Sequence, residues 1–203
     1  MKSMARENKS NFAYEEIRKK ILARMIEPGE RLVERAWAEK LSVNRADIRQ
    51  ALSRLVGEGL LVHGKKGGAF VPFPDPEREE EFLRARMAVE VGAALLAVKY
   101  ATEKEIQELE KVVELMGDLA EYKLHTNFNE VDIHFHEVMV KAAHSPQLLD
   151  MYHRANFPLT SNKPAQYAEM MKQDTKKHDK ILQALKKRNF PLLSKLLAEA
   201  YED

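Results

Sequence analysis

The 203 residues include no cysteine. Disulfides and thiolate zinc fingers are therefore excluded, and His, Asp and Glu are the only candidate metal ligands. Nor does any apolar run approach the eighteen or so residues that a membrane span needs. The opening MKSMARENKSNFAYEE lacks the apolar core of a signal peptide. The expected location is the cytoplasm, with no membrane partner. What the chain does have is 44% hydrophobic and 32% charged residues, too mixed for disorder and enough apolar material for one or two packed domains.

A strong overall charge is also missing, since the formal net charge is +1. That balance conceals two opposite halves on either side of the proline-rich stretch VPFPDPE, residues 71 to 77. Residues 1 to 72 hold 15 Lys and Arg against 9 Asp and Glu, whereas residues 73 to 203 hold 18 against 23. A basic N-terminal module, a short linker at 73 to 77 and an acidic module from 78 to 203 are expected. This is the charge pattern of a nucleic-acid binder with a separate second function.

In the basic part, Ile17, Ile21 and Met25 recur every four residues from Asn11 onward, flanked by Phe12, Leu22 and Ile26, and predict a first amphipathic helix that EPGE at 27 to 30 stops. LVERAWAEKL predicts a short second helix, with Trp37 and Leu41 one turn apart on its buried side. Ile48, Ala51, Leu52, Leu55 and Val56 fall at i, i+3, i+4, i+7 and i+8, a full core-facing stripe for a third helix. Asn44 suits its N-cap, Asp47 suits the positive end of the dipole, and GEG at 57 to 59 closes it. Only Ser42 and Val43 separate the second helix from that cap, a connection as tight as in a helix-turn-helix. Arg45 and Arg49 lie one turn apart on the outer face at its N-terminal end, beside Gln50 and Ser53, where such a helix reaches base edges in the major groove. LLVHGKKGGAFVP then predicts a β-hairpin wing that carries Lys65 and Lys66 toward a phosphate backbone.

These residues carry a resemblance. PGERLVERAWAEKLSVNRADIRQALSRLVGEGLL followed by GKKGGAFV resembles the winged helix-turn-helix of the GntR family of bacterial transcription regulators, across residues 11 to 71. The resemblance implies contacts to operator DNA from Arg35, Arg45, Arg49 and Gly67 or Gly68. Asn44, also expected among the DNA contacts, stands where that family usually has Ser or Thr, and Trp37 where it usually has Leu.

Past the linker no strand-like alternation occurs. Residues 78 to 100, 103 to 123, 128 to 143, 147 to about 158, 165 to 187 and 190 to 202 read as helices of an all-α bundle. The stretch NEVDIHFHEVMVKAAH at 129 to 144 sets Asp132, His134, His136 and His144 among apolar residues. Asp132 and His136 share one helix face and can converge on one ion, while His134 points elsewhere. On its own such a spacing favours a satisfied polar pair over a ligand pair. FLRARMAVEVGAALLAVKYATEKEIQELEKVVELM is similar to the opening helices of the FCD domain, the ligand-binding half of the largest GntR subfamily. DIHFHEVMVKAAHSPQLL and KKHDKILQALKKRNF resemble two further motifs of that domain. The likeness implies that His178 joins Asp132 and His136 in a site for Zn²⁺, Ni²⁺ or Mn²⁺. The family's fourth ligand, a His, falls within a turn of Ala200 and is absent. His125, His144 and His153 match no role and are expected to be ordinary polar residues.

Arg86 and Glu90 repeat an Arg-x-x-x-Glu spacing of the same family, so Arg86 is expected either to meet an anionic effector or to pair with Glu90. The expectation is a homodimeric, non-enzymatic regulator that binds double-stranded operator DNA and responds to a small effector, an organic acid by analogy. Two alternatives remain at this point: a metal-dependent hydrolase using Asp132, His136 and His178, and a helical interaction module without a small ligand.

Overall fold

In a computed structural model of the chain, the structure describes residues 2–64, 67–73, 75–155 and 167–201, without the side chains of residues 2–8, 76, 126 and 167. It is mainly α and forms two compact units, residues 1–75 and 76–203.

The first unit contains α1 (Lys2–Leu22), α2 (Glu34–Leu41) and α3 (Arg45–Gly57), with strands β1 (Arg31–Leu32), β2 (Val62–His63) and β3 (Ala69–Phe70). The expected core stripe of α3 is where it was placed: Ile48, Ala51, Leu52 and Leu55 are buried, packed largely against α1. Ser42, at φ 53, ends α2 in the left-handed conformation and turns the chain into α3 within two residues.

Three local expectations need correction. The first helix begins at Lys2 rather than near Asn11 and stops at Leu22; Arg24 takes φ 56, so Met25 leaves the stripe and is 50% exposed. Leu32 was expected in the second helix. It is instead 1% exposed in β1, paired with Ala69, because its side chain completes the core beneath the sheet. The wing is correspondingly more than a hairpin. The order is β1-β3-β2, antiparallel, with Phe70 opposite both Arg31 and Val62.

The second unit contains α4 (Pro76–Tyr100), α5 (Glu103–Tyr122), α6 (His125–Lys141), α7 (Pro146–Ala155), α8 (Tyr167–Lys186) and α9 (Phe190–Glu199). Pro76 and Glu77, counted above with the linker, form the first turn of α4, a position where proline's missing N–H costs nothing. Residues 156–158 and 165–166, expected to be helical, lie outside the described residues. Ala93, Ala94 and Ala97 let α4 approach its neighbours closely, and Leu109, Met116, Phe135, Met139, Leu185 and Leu197 fill the centre. Thr102 and Glu105 form a capping box at the start of α5, with the Glu105 carboxylate accepting from Thr102 N at 2.8 Å. α4 packs against α6, α7 and α9, and α8 crosses α5 and α9. This brings the middles of α4, α6 and α8 and the chain end together.

Candidate nucleic-acid interface and metal centre

In the first unit the first turn of α3 is fixed by its cap. Asn44 donates to Asp47 Oδ2 from both its backbone N, at 3.2 Å, and its side-chain Nδ2, at 3.1 Å. Asn44, expected to touch DNA, is thus partly committed to holding the helix. Arg45 and Arg49 project from the exposed face one turn apart. A groove of about 450 Å³ runs past them, and its lining includes Arg31, Arg35, Arg45, Arg49, His63 and Gly68. Among the described residues Arg35 pairs only with Glu39 on its own helix, at 3.0 Å in the open, a weak contact that leaves it available. Arg49 is held differently. Its Nε and Nη2 donate to the two oxygens of Glu34 at 2.8 and 2.9 Å, and that hydrogen bonding, aided by the charges of Arg49 and Arg45 against slight desolvation, lowers the Glu34 pKa.

Gly68 has φ +91, and a Cβ there would meet Arg31 Nε at 2.7 Å. The missing side chain is what lets Arg31 cross the base of the wing. Gly67, also at positive φ, is exposed, and Lys65 and Lys66 lie outside the described residues. The groove brings together Arg35, Arg45, Arg49 and Gly68, which the sequence singles out, and Arg31, Glu34 and His63, which it does not. Their grouping depends on the sheet folding back on α2 and α3, which no local pattern encodes.

In the second unit the ligand atoms of Asp132, His136 and His178 lie within 4.8 Å of one another. His178 Nε2 is 3.1 Å from His136 Nε2 and 3.0 Å from Asp132 Oδ1, and His136 Nε2 is 3.9 Å from that oxygen. The other ring nitrogens are occupied. His178 Nδ1 is 2.7 Å from the backbone O of Asp174, which can only accept, and His136 Nδ1 is 2.9 Å from Glu90 Oε2. Both Nδ1 atoms therefore carry protons, and in the neutral rings both Nε2 atoms present lone pairs toward a carboxylate oxygen. Three acceptors facing one another repel unless a proton or a cation lies between them. Ligand atoms around a tetrahedral zinc are about 3.3 Å apart, so the spacing fits a divalent ion, and the Glu90 and Asp174 contacts are the kind that orient metal-bound imidazoles.

The surroundings are charged and buried. Glu90, fully buried, accepts from Arg86 Nε at 2.9 Å and Tyr201 Oη at 2.7 Å as well as from His136. Burial pushes its pKa up, but the charges of His136 and Arg86 and these hydrogen bonds win and bring it down to about 2. Asp132 is held well below the usual carboxylate range, burial being outweighed by the His178 hydrogen bond and by the charges of His178, His136 and Arg86. For His178 burial opposes the charged ring, yet Asp132 raises its pKa. Arg86 lies between the rings of Tyr152 and Tyr201, its Cζ 5.6 Å from each centroid. Near Ala200 the neighbour Tyr201 turns its hydroxyl to Glu90 rather than joining the three ligand atoms, so no fourth protein ligand replaces the missing histidine among the described residues.

Three other histidines have acidic neighbours. His134 faces Glu108 at 3.4 Å, His144 reaches both Glu105 oxygens at 3.0 and 3.1 Å, and His153 lies 3.7 Å from Glu137.

A winged helix-turn-helix with an arginine-lined groove, joined to a helical bundle with its own polar centre, defines a DNA-binding transcription regulator. The chain belongs to the GntR family in its FCD branch: the model for bacterial regulatory proteins of the gntR family matches residues 9–71, and that for the FCD domain matches residues 81–203, more than half the chain. It is 26% identical over 183 residues to the HTH-type transcriptional regulator YdhC of Bacillus subtilis strain 168, covering 87% of this chain and 80% of that one. It is 24% identical over 195 residues to the gluconate operon transcriptional repressor of Bacillus licheniformis, covering 93% and 80%. Its fold matches that of E. coli McbR/YncC with a TM-score of 0.81 at 22% identity, covering 96% of this chain and 93% of that one. The family consists of transcription regulators rather than enzymes, so the hydrolase reading of Asp132, His136 and His178 falls. Among the described residues no helix is long and apolar enough to cross a membrane.

Proposed function

We propose that this regulator binds a divalent metal, Zn²⁺, Ni²⁺ or Mn²⁺, through Asp132, His136 and His178, and that a small carboxylate-bearing effector binds beside it and changes operator affinity. The observation that carries this reading is the convergence of two imidazole Nε2 atoms and a carboxylate oxygen, all acceptors, with both Nδ1 atoms anchored from behind. A cation supplies the charge this arrangement needs. With three protein ligands, coordination positions remain for waters or for an anion. Arg86 is the effector-binding residue in this reading: its buried guanidinium is paired with Glu90 at 2.9 Å and lies next to Asp132 and Tyr152, where an anionic effector would meet its remaining N–H groups.

Residues 1–72 bind DNA, residues 73–75 connect, and the helical unit from Pro76 carries the effector site and much of the dimer contact. Arg45 and Arg49 read bases, while Arg35, Asn44, Lys65, Lys66, Gly67 and Gly68 position the wing and helix on the backbone. A homodimer in the cytoplasm would place two recognition helices on half-sites about one helical turn apart.

Calorimetry tests the metal site. Titration of Zn²⁺, Ni²⁺ and Mn²⁺ into chelator-treated full-length protein is expected to give one site per chain, lost in Asp132→Ala and weakened tenfold or more in Glu90→Gln, which removes the negative charge behind His136. Ala200→His is expected to tighten it. Heat of binding absent from both the parent and Ala200→His would show that the three residues are hydrogen-bonding groups of a metal-free pocket.

A further inference from the structure

The two arginines at the start of α3 are one turn apart, but the structure treats them differently. The Arg45 side chain makes no hydrogen bond among the described residues, whereas Arg49 is clamped by both oxygens of Glu34, the first residue of α2. We propose that Glu34 is a specificity-determining residue of the DNA interface, holding Arg49 so that only the end-on edge of its guanidinium is offered to a base. This rests on the DNA-reading role proposed for α3.

A guanidinium has five N–H groups in a fixed plane. Glu34 takes the one on Nε and one on Nη2, at 2.8 and 2.9 Å. What remains pointing outward is the fork formed by Nη1 and the second hydrogen of Nη2. That fork matches the N7 and O6 acceptors of guanine, the pairing by which arginine reads a base most specifically. The clamp also balances the arginine's charge, so the pair releases few counterions at a phosphate and gains little of the electrostatic attraction that holds a free arginine there. An unclamped arginine on a flexible stem would be free to move to the backbone, where it adds affinity but reads nothing. Glu34 is itself well placed to hold still. It is about one-quarter exposed against two-thirds for Arg49, and it stands in the first turn of α2, where the helix dipole favours a carboxylate.

A plain staple between α2 and α3 would use the same contact, so the test must read base preference as well as binding. Full-length parent and Glu34→Gln, which keeps the shape and removes the charge, are each put through selection from randomised duplexes. The salt dependence of binding to the parent's selected duplex is then measured by fluorescence anisotropy. The parent is expected to select a guanine at one position per half-site. Glu34→Gln should lose that preference about tenfold or more at this position while the others hold. Its log–log salt slope should steepen by about 0.9, one extra phosphate contact, as Arg49 swings to the backbone. In an Arg49→Lys background the Glu34→Gln change should alter neither quantity.

Unchanged preference at every position in a Glu34→Gln protein that melts cooperatively overturns the proposal. So does an equal weakening at all positions, which is the signature of a staple. Should Glu34→Gln fail to fold, Glu34→Asp serves instead. Its carboxylate is one methylene short of both donors and should lose preference at the same position, and full retention there overturns the idea. A parent that selects no sequence at all contradicts the DNA-reading role itself, an outcome distinct from a selective parent with an equally selective Glu34→Gln.

Discussion

His178 stands between a backbone carbonyl that fixes its Nδ1 proton and a carboxylate that attracts a second proton to Nε2. Without metal, its folded pKa is raised above the ordinary 6.5. The stability it contributes is therefore full below about pH 6.5 and is lost as pH rises through the raised value. Metal works in the opposite direction, because coordination requires the neutral ring. The shift in melting temperature caused by Zn²⁺ should grow with pH across the histidine range, and His178→Ala should abolish both the shift and its pH dependence; thermal melts with Zn²⁺ and with chelator measure this. Glu90 acts at lower pH. Its depressed pKa gives stability that is present above the ordinary carboxylate value of 4.5 and is lost as pH falls toward about 2. At this scale the sequence made the Asp132–His136 pair legible through spacing, and His178 only through family likeness. The Asp174 carbonyl could not be read, since every residue has one, and the contact of Tyr201 with Glu90 spans 111 positions of chain.

At the scale of elements, periodicity served best where one side chain pattern answers to one core. Ile48 and Leu55 of α3 are fully buried, as a period of 3.6 requires. Leu55→Ala, which removes three carbons from this core, should cost about 2 to 5 kcal/mol in urea unfolding of the first unit. The same substitution at half-buried Val56 should cost clearly less. Periodicity failed at ends and at long-range pairings. Met25 continued the stripe on paper, but α1 had already stopped at Leu22. Leu32 looked helical because apolar residues at a helix start and in a two-residue strand are the same locally; only pairing with Ala69, 37 positions on, makes it a strand. Arg188 is a further case. Its guanidinium donates to the carbonyls of Ala97, Val98 and Ala101, tying the α8–α9 turn to the end of α4, and nothing in its neighbourhood announces that partner.

For the whole molecule the charge division was the most legible feature, because a basic DNA-binding unit and an acidic helical unit differ in bulk composition and need no register to be seen. In the proposed function their activities are joined by a free-energy coupling: an effector or metal alters DNA affinity only by as much as it prefers the DNA-competent arrangement, and the DNA must alter metal affinity by the same factor. In the proposed homodimer both recognition helices must engage together. The most direct measurement is a closed cycle on the full-length protein. Affinity for its selected duplex is measured by anisotropy with saturating Zn²⁺ and with chelator, and Zn²⁺ affinity is measured by calorimetry with and without that duplex. The account predicts a change of about fivefold or more in each, equal in factor and in sign, and absent from Asp132→Ala. Tight Zn²⁺ binding with identical DNA affinity in both metal states would contradict it.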